Sequence, residues 1–92
     1  MAHEGLELQT LVERPGLKIG IVAYGPGVTT GEPATHSGDE FVYVLAGAIE
    51  VVVEARRIVL RQGDYLSFDA SKRHQGRNIH DGESRLLFVI AE

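Results

Sequence analysis

Two histidines and one glutamate are the residues whose types and spacing could do chemistry in this chain. His36 and Glu40 lie four residues apart, where a polar turn leads into an apolar segment, and His74 lies in a second, similar position. Imidazole and carboxylate groups without thiolates suit Fe(II), Mn(II), Ni(II) or Zn(II). We therefore hypothesise that these three side chains face one pocket, where they bind one divalent transition metal.

The same residues also allow an interpretation without a metal. His36 could cap its loop, and His74 could bond to a backbone carbonyl. Glu40 could then form an ion pair with Arg77 or Lys72. Both interpretations stay open at the level of the sequence, because spacing alone does not fix which groups meet.

The elements that must position these residues are short strands. Apolar residues alternate with polar ones through most of the chain, and turns containing Gly, Pro or Asp interrupt the pattern. This predicts strands over residues 6–13, 17–24, 40–45, 48–54, 57–61, 65–68, 73–78 and 84–91, with a hairpin turn at Ala55 and Arg56. No window favours a useful helix, so the pattern predicts an antiparallel β-sandwich or barrel. Alternation places Glu40 on the same face as Val42 and Val44.

Two of the predicted strands are apolar on both faces. In residues 40–45, Phe41, Tyr43 and Leu45 oppose the face of Glu40, and residues 84–91 show the same property. A barrel wall with water outside needs only one apolar face. We therefore predict a homodimer, or contact with another domain, through the second face, the alternative being cover by neighbouring loops.

Composition limits the class of protein. The chain has 92 residues, a net charge of −4 and an apolar fraction of 43%, which fits one small globular domain over residues 1–92. No face is expected to be strongly basic, so direct nucleic-acid contact is not expected. The chain has no cysteine, which fits a reducing cytoplasm, and no apolar run approaches the ~20 residues of a membrane span.

Residues 31–47 resemble the first motif of the cupin superfamily. Glu40 and Gly47 have the family's separation, and His36 lies where the second histidine of the motif belongs. Ala34 stands where the family places the first histidine, so that ligand is absent. The resemblance therefore implies at most three ligands. In the family, members similar to hydroxypropylphosphonate epoxidase use such a two-His-one-Glu set.

Residues 63–78 resemble the second cupin motif. Gly63, His74 and Asn78 match in spacing, whereas Asp69 and Ser71 stand where Pro and Gly are usual. The resemblance implies an all-β fold, the cupin double-stranded β-helix or jelly-roll barrel, with a site at His36, Glu40 and His74.

The amino-acid sequence between the matched motif positions resembles that of the C-terminal cupin domain of XRE-type helix-turn-helix regulators. That resemblance implies a small-molecule-sensing, dimerising domain, either a piece of a regulator or a free-standing relative. The alternative function is a metal-dependent oxygenase, epoxidase or isomerase, and whether the chain is an enzyme stays open. Further candidate ligand contacts are Tyr24, Tyr65, Arg77 and Asn78.

Overall fold

The chain forms eight strands in a computed structural model that describes residues 5–30 and 33–92. The strands are β1 (Leu6–Arg14), β2 (Leu17–Tyr24), β3 (Asp39–Ala46), β4 (Ala48–Val53), β5 (Arg56–Arg61), β6 (Tyr65–Asp69), β7 (His74–Asn78) and β8 (Ser84–Ala91). Each predicted strand is present, and its bounds differ by at most one residue from the prediction. Within the described residues no helix could cross a membrane. Gly31, the first residue of the first motif, lies outside the described ranges.

Two antiparallel sheets face each other. The larger sheet has the order β1-β2-β8-β3-β6, and the smaller has the order β5-β4-β7. Consecutive strands β3 and β4 belong to different sheets, and Gly47 makes the turn between them with a φ of 83°. This architecture confirms the predicted all-β fold.

The core lies between the sheets and follows the alternation of the sequence. The buried residues of the larger sheet include Val42, Val44, Leu86 and Phe88. The smaller sheet contributes residues of the same apolar type, namely Ile49, Val51, Val53 and Leu60. Branched aliphatic side chains suit this position because they pack well on a pleated surface.

The hairpin between β4 and β5 differs from the prediction by one position. Val53 pairs with Arg56, so the two turn residues are Glu54 and Ala55. Glu54 adopts a φ of 53°, which a tight hairpin turn requires and which glycine usually supplies. The prediction missed this turn because Glu is uncommon in the left-handed region.

The centre of the outer face of the larger sheet is apolar, as the two-faced strands predicted. Strand pairing places Tyr43 beside Leu87, and Leu87 beside Ile21, on this face. These three side chains are half-buried by their neighbours, whereas Leu45 at the margin is 39% exposed. The apolar part of this face is therefore open to solvent at its margin.

Asn78 ties four segments together at one end of the sandwich. Its Nδ2 donates to the carbonyl oxygens of Tyr24 at 3.1 Å, Gly25 at 2.9 Å and Gly82 at 2.8 Å. Its Oδ1 accepts from the Ser84 hydroxyl at 2.7 Å and the His80 amide at 2.9 Å. The Asn78 residue is 2% exposed, so these bonds satisfy polar groups that water cannot reach.

The substitution Asn78→Ala tests this role. It removes the closer acceptor of the Ser84 hydroxyl, the acceptor of the His80 amide and a donor to three carbonyl groups. We expect the free energy of unfolding to fall by about 3 kcal/mol, because each buried unsatisfied group costs roughly 1–3 kcal/mol. Urea denaturation measures the change.

The matched control is Gln9→Ala, which removes an amide side chain from the exposed part of β1. It is expected to change stability by less than about 0.5 kcal/mol. A loss below about 1 kcal/mol for Asn78→Ala would contradict the assigned role.

Candidate metal centre

The two sheets bring His36, Glu40 and His74 into one space. Glu40 lies near the start of β3, with its side chain on the inner face beside Val42. His74 begins β7 of the opposite sheet, where it pairs with Val53. His36 reaches the same space from the loop before β3, whose backbone is held by a hydrogen bond from the His36 amide to the Ala70 carbonyl at 3.0 Å.

One carboxylate oxygen faces both imidazole rings. Oε1 of Glu40 lies 3.0 Å from Nε2 of His36 and 3.4 Å from Nε2 of His74. The rings themselves meet edge to face, with centroids 5.0 Å apart and an interplanar angle of 83°. One ligand atom from each residue lies within 4.8 Å of the others, so a single ion could contact all three.

The other ring nitrogens face backbone carbonyl groups. Nδ1 of His74 lies 2.8 Å from the Lys72 carbonyl oxygen, and Nδ1 of His36 lies 3.3 Å from that of Ser37. A proton on Nδ1 leaves the lone pair of Nε2 directed at the Glu40 carboxylate. This is the usual arrangement of metal-binding histidines, in which a backbone carbonyl fixes the tautomer. The donor set and its orientation therefore fit a divalent metal.

The alternative pairings of Glu40 are absent among the described residues. Its carboxylate pairs with the two histidines, whereas Arg77 lies 3.8 Å from Glu50 on the outer face of the smaller sheet. The backbone contact anticipated for His74 is present, but it involves Nδ1 and leaves Nε2 facing the site.

Ala34 borders the space where the family places a further histidine. Its backbone pairs with His74 in an isolated bridge, with hydrogen bonds of 2.9 and 3.0 Å, and it lines the cavity. Because paired residues share a face, the methyl group points toward the same space as His74. The described residues thus offer three metal-ligating side chains here, namely those of His36, Glu40 and His74.

The three residues line a cavity of about 230 Å³ between the sheets. Its walls are largely apolar and include Val42, Ile49, Val51 and Leu86. Tyr24 enters from the end of β2 and is 2% exposed. Burial, followed by the negative charge of Glu40, raises the pKa of its phenol above the usual range. The Tyr24 hydroxyl therefore remains a proton donor at any ordinary pH.

The other three candidate ligand contacts lie away from this cavity. Tyr65 is 67% exposed on the outer face of the larger sheet, where it stacks on Phe41. Arg77 extends along the outer face of the smaller sheet. Asn78 is buried, but its side-chain polar atoms form the hydrogen bonds to Tyr24, Gly82 and Ser84 described above.

Two lining residues were not anticipated from the sequence. Phe68 lies opposite Glu40 across the β3–β6 pair, with its ring centroid 5.0 Å from that of His74. Thr30 accepts a hydrogen bond from the Gly76 amide at 3.2 Å. Alternation does place Phe68 on the face of Leu66, but only the strand register shows that this face meets the histidines.

Two curated relatives match more than three quarters of the chain. Protein SchB of Streptomyces halstedii is 39% identical over 72 residues, which is 78% of this chain and 52% of that protein. Polyketide synthase CurC of Streptomyces cyaneus is 33% identical over 73 residues, which is 79% of this chain and 47% of that protein. The chain thus spans about half the length of the curated relatives that it matches.

Solved structures share the fold. The cupin domain of an XRE family transcriptional regulator from Enterobacter cloacae superposes with a TM-score of 0.86 at 19% identity, covering 96% of this chain and 97% of that one. At this identity the similarity concerns the fold alone. The Cupin_2 family model, described as a cupin domain, matches residues 20–90. The resemblance seen in the two motifs is thereby confirmed, and the chain belongs to the Cupin_2 family of cupin domains.

Proposed function

We propose that this cupin domain binds one divalent transition metal through His36, Glu40 and His74 and acts there on a small, oxygen-rich organic molecule. The main support is the direction of the ring nitrogens. Both histidines present Nε2 to one carboxylate oxygen while Nδ1 faces a backbone carbonyl. With the proton of each ring on Nδ1, a cation at the meeting point would bind both Nε2 lone pairs and the anionic oxygen.

The ligand class is inferred from the cavity and from the relatives. A bound divalent metal supplies Lewis acidity toward a carbonyl or phenol oxygen. The phenol of Tyr24 is a second polar group aimed at the cavity, and the remaining walls are apolar. A molecule with neighbouring oxygen atoms on a carbon skeleton fits this pattern, and the name polyketide synthase borne by one relative supports the same class.

The residues around the cavity have different roles in this proposal. His36, Glu40 and His74 hold the metal, and Lys72 orients His74 through its carbonyl oxygen. Tyr24 donates a hydrogen bond to a ligand oxygen. The apolar walls limit water in the cavity, which strengthens these polar interactions.

Metal titration of the purified protein tests the proposal. We expect one equivalent of Zn(II) or Co(II) per chain, measured by calorimetry and metal analysis. His74→Ala and Glu40→Gln each remove a ligand, and we expect at least a roughly 100-fold loss of affinity, because even indirect supporting contacts are worth about 10–100-fold.

The matched control is His80→Ala, which removes a 45% exposed imidazole near Asp81 at the opposite end of β7. It is expected to bind metal as the wild type does. Equal affinities for wild type, Glu40→Gln and His74→Ala would contradict the site.

The pH dependence of stability tests the burial of Tyr24. Its pKa is raised in the folded protein, so above about pH 10 the unfolded chain loses a proton that the folded chain keeps. Stability is therefore fully present below about pH 10 and falls as the pH rises further. Tyr24→Phe removes this contribution.

The measurement is the free energy of unfolding in urea for wild type and Tyr24→Phe at several alkaline pH values. We expect a shallower decline for the variant. Identical slopes would show that the phenol is not shielded from solvent.

A second candidate function is ligand sensing by a dimer, which the sequence favoured. The observation that supports it is the apolar outer face of the larger sheet around Tyr43 and Leu87. We propose that two copies pair through this face, because an exposed apolar face on a small domain is commonly an interface.

An activity assay separates catalysis from sensing. Turnover of an oxygenated ligand by the metal-loaded protein favours the enzyme.

Sedimentation equilibrium tests the dimer. Leu87→Arg places a charge at the centre of the outer face, between Tyr43 and Ile21, and we expect it to produce a monomer. Val59→Arg adds the same charge at a 46% exposed position of the smaller sheet and should remain dimeric. A wild-type protein that sediments as a monomer at about 100 μM would contradict the interface.

A further inference from the structure

A second, larger pocket lies next to the cavity lined by His36, Glu40 and His74, which is called here the metal-site cavity. A groove of about 420 Å³ opens between β5 and β6. These are the edge strands of different sheets, so the order of the sheets leaves an opening between them. The floor is apolar and consists of Val53, Ile58, Leu66 and Phe68, and the rim carries the charged residues Glu54, Arg56, Asp69 and Lys72.

Phe68 lines both hollows. On one side its ring approaches His74, with centroids 5.0 Å apart, and on the other it lies on the groove floor with Ile58 and Leu66. Phe68 is therefore a shared wall.

The cavity and the groove together have the size of a small-molecule site. The metal-site cavity holds about 230 Å³, below the roughly 300–1,000 Å³ typical of small-molecule sites. Joined to the groove, it lies within that range. Phe68 is only half-buried, so rotation about its side-chain bonds can connect the spaces without opening a sheet.

The chemistry of the two hollows is complementary. The metal-site cavity has its polar groups at the three proposed ligands and at Tyr24. The groove has an apolar floor for carbon rings and a charged rim that stays in water. A ligand bound across both would need one oxygen-rich end and an extended apolar body.

We propose that Phe68 determines which ligands bind: their oxygen-rich end lies at His36, Glu40 and His74, and their ring system passes Phe68 into the β5–β6 groove. The substrate class is thus an elongated molecule of two or more rings with adjacent oxygens at one end. The orientation of the ligand rests on the proposed metal site. The proposed joining of the cavity and the groove past Phe68 does not depend on the metal.

The test compares catechol with alizarin, which has the same pair of adjacent oxygens on a three-ring body. Affinities are measured on the zinc-loaded full chain for wild type and Phe68→Ala. Removing the wall gives room to the long probe only. We expect the ratio of alizarin to catechol affinity to rise about tenfold, which corresponds to the contribution of a few buried carbon atoms.

Two further variants make the result specific. Phe68→Leu keeps an apolar wall and should raise the ratio less, and it serves if Phe68→Ala does not fold. Phe41→Ala removes the same side chain from the outer face of neighbouring strand β3 and should leave the ratio unchanged. An unchanged ratio in both Phe68 variants would overturn the proposal.

Nuclear Overhauser contacts locate the probe independently of the metal. With alizarin on wild-type protein, zinc-loaded or metal-free, we expect contacts both to Val51 and Leu86 in the cavity and to Ile58 and Leu66 in the groove. Contacts to one hollow alone would overturn the proposal. Failure to bind zinc would instead contradict the proposed function, while the contacts in metal-free protein would still decide whether the two hollows form one site.

Discussion

A partly buried carboxylate facing two imidazole rings is the interaction on which this structure depends most. The side chain of Glu40 is only 14% exposed, and a carboxylate removed from water needs positive charge or hydrogen-bond donors nearby. Two sheets and one loop bring the three groups together, since Glu40 comes from the larger sheet, His74 from the smaller and His36 from the connection. A metal bound between them would supply the positive charge. The same contact therefore joins the layers and forms the candidate site.

The two ends of the sandwich have different roles. At one end, Asn78 and Ser84 close a network of buried hydrogen bonds that joins β2, β7 and β8. At the other end, the histidines leave Nε2 directed at the cavity. Tyr24 links the two, because its carbonyl belongs to the network and its phenol lines the cavity. A rigid closed end allows the opposite end to remain open without loss of the site geometry.

Much of this fold follows from the sequence because alternation is strong. Inward positions such as Val42 and Val51 are branched and apolar, so strand limits and faces could be predicted from local pattern. The resemblance to the two cupin motifs implied a site at His36, Glu40 and His74, and the structure brings these three side chains together. Alternation could have excluded Arg77, since it is three residues from His74 and thus on the opposite face.

Other features depend on contacts between distant segments. The place of Phe68 opposite Glu40 depends on the β3–β6 register, which no local pattern specifies. Asn78 lies on the same face as His74, yet its position at the end of the strand places it in the closing network. The turn at Glu54 uses a backbone conformation that its residue type disfavours. In each case tertiary packing outweighs local preference.

The central claim is that the space between Glu40 and the two imidazoles is a metal site. Anomalous diffraction from crystals of the zinc-saturated protein, recorded at the zinc edge, tests it most directly. The account predicts one strong peak within about 2.0–2.2 Å of Nε2 of His36, Nε2 of His74 and a carboxylate oxygen of Glu40. Zinc bound elsewhere, with direct hydrogen bonds still joining Glu40 to both rings, would contradict it.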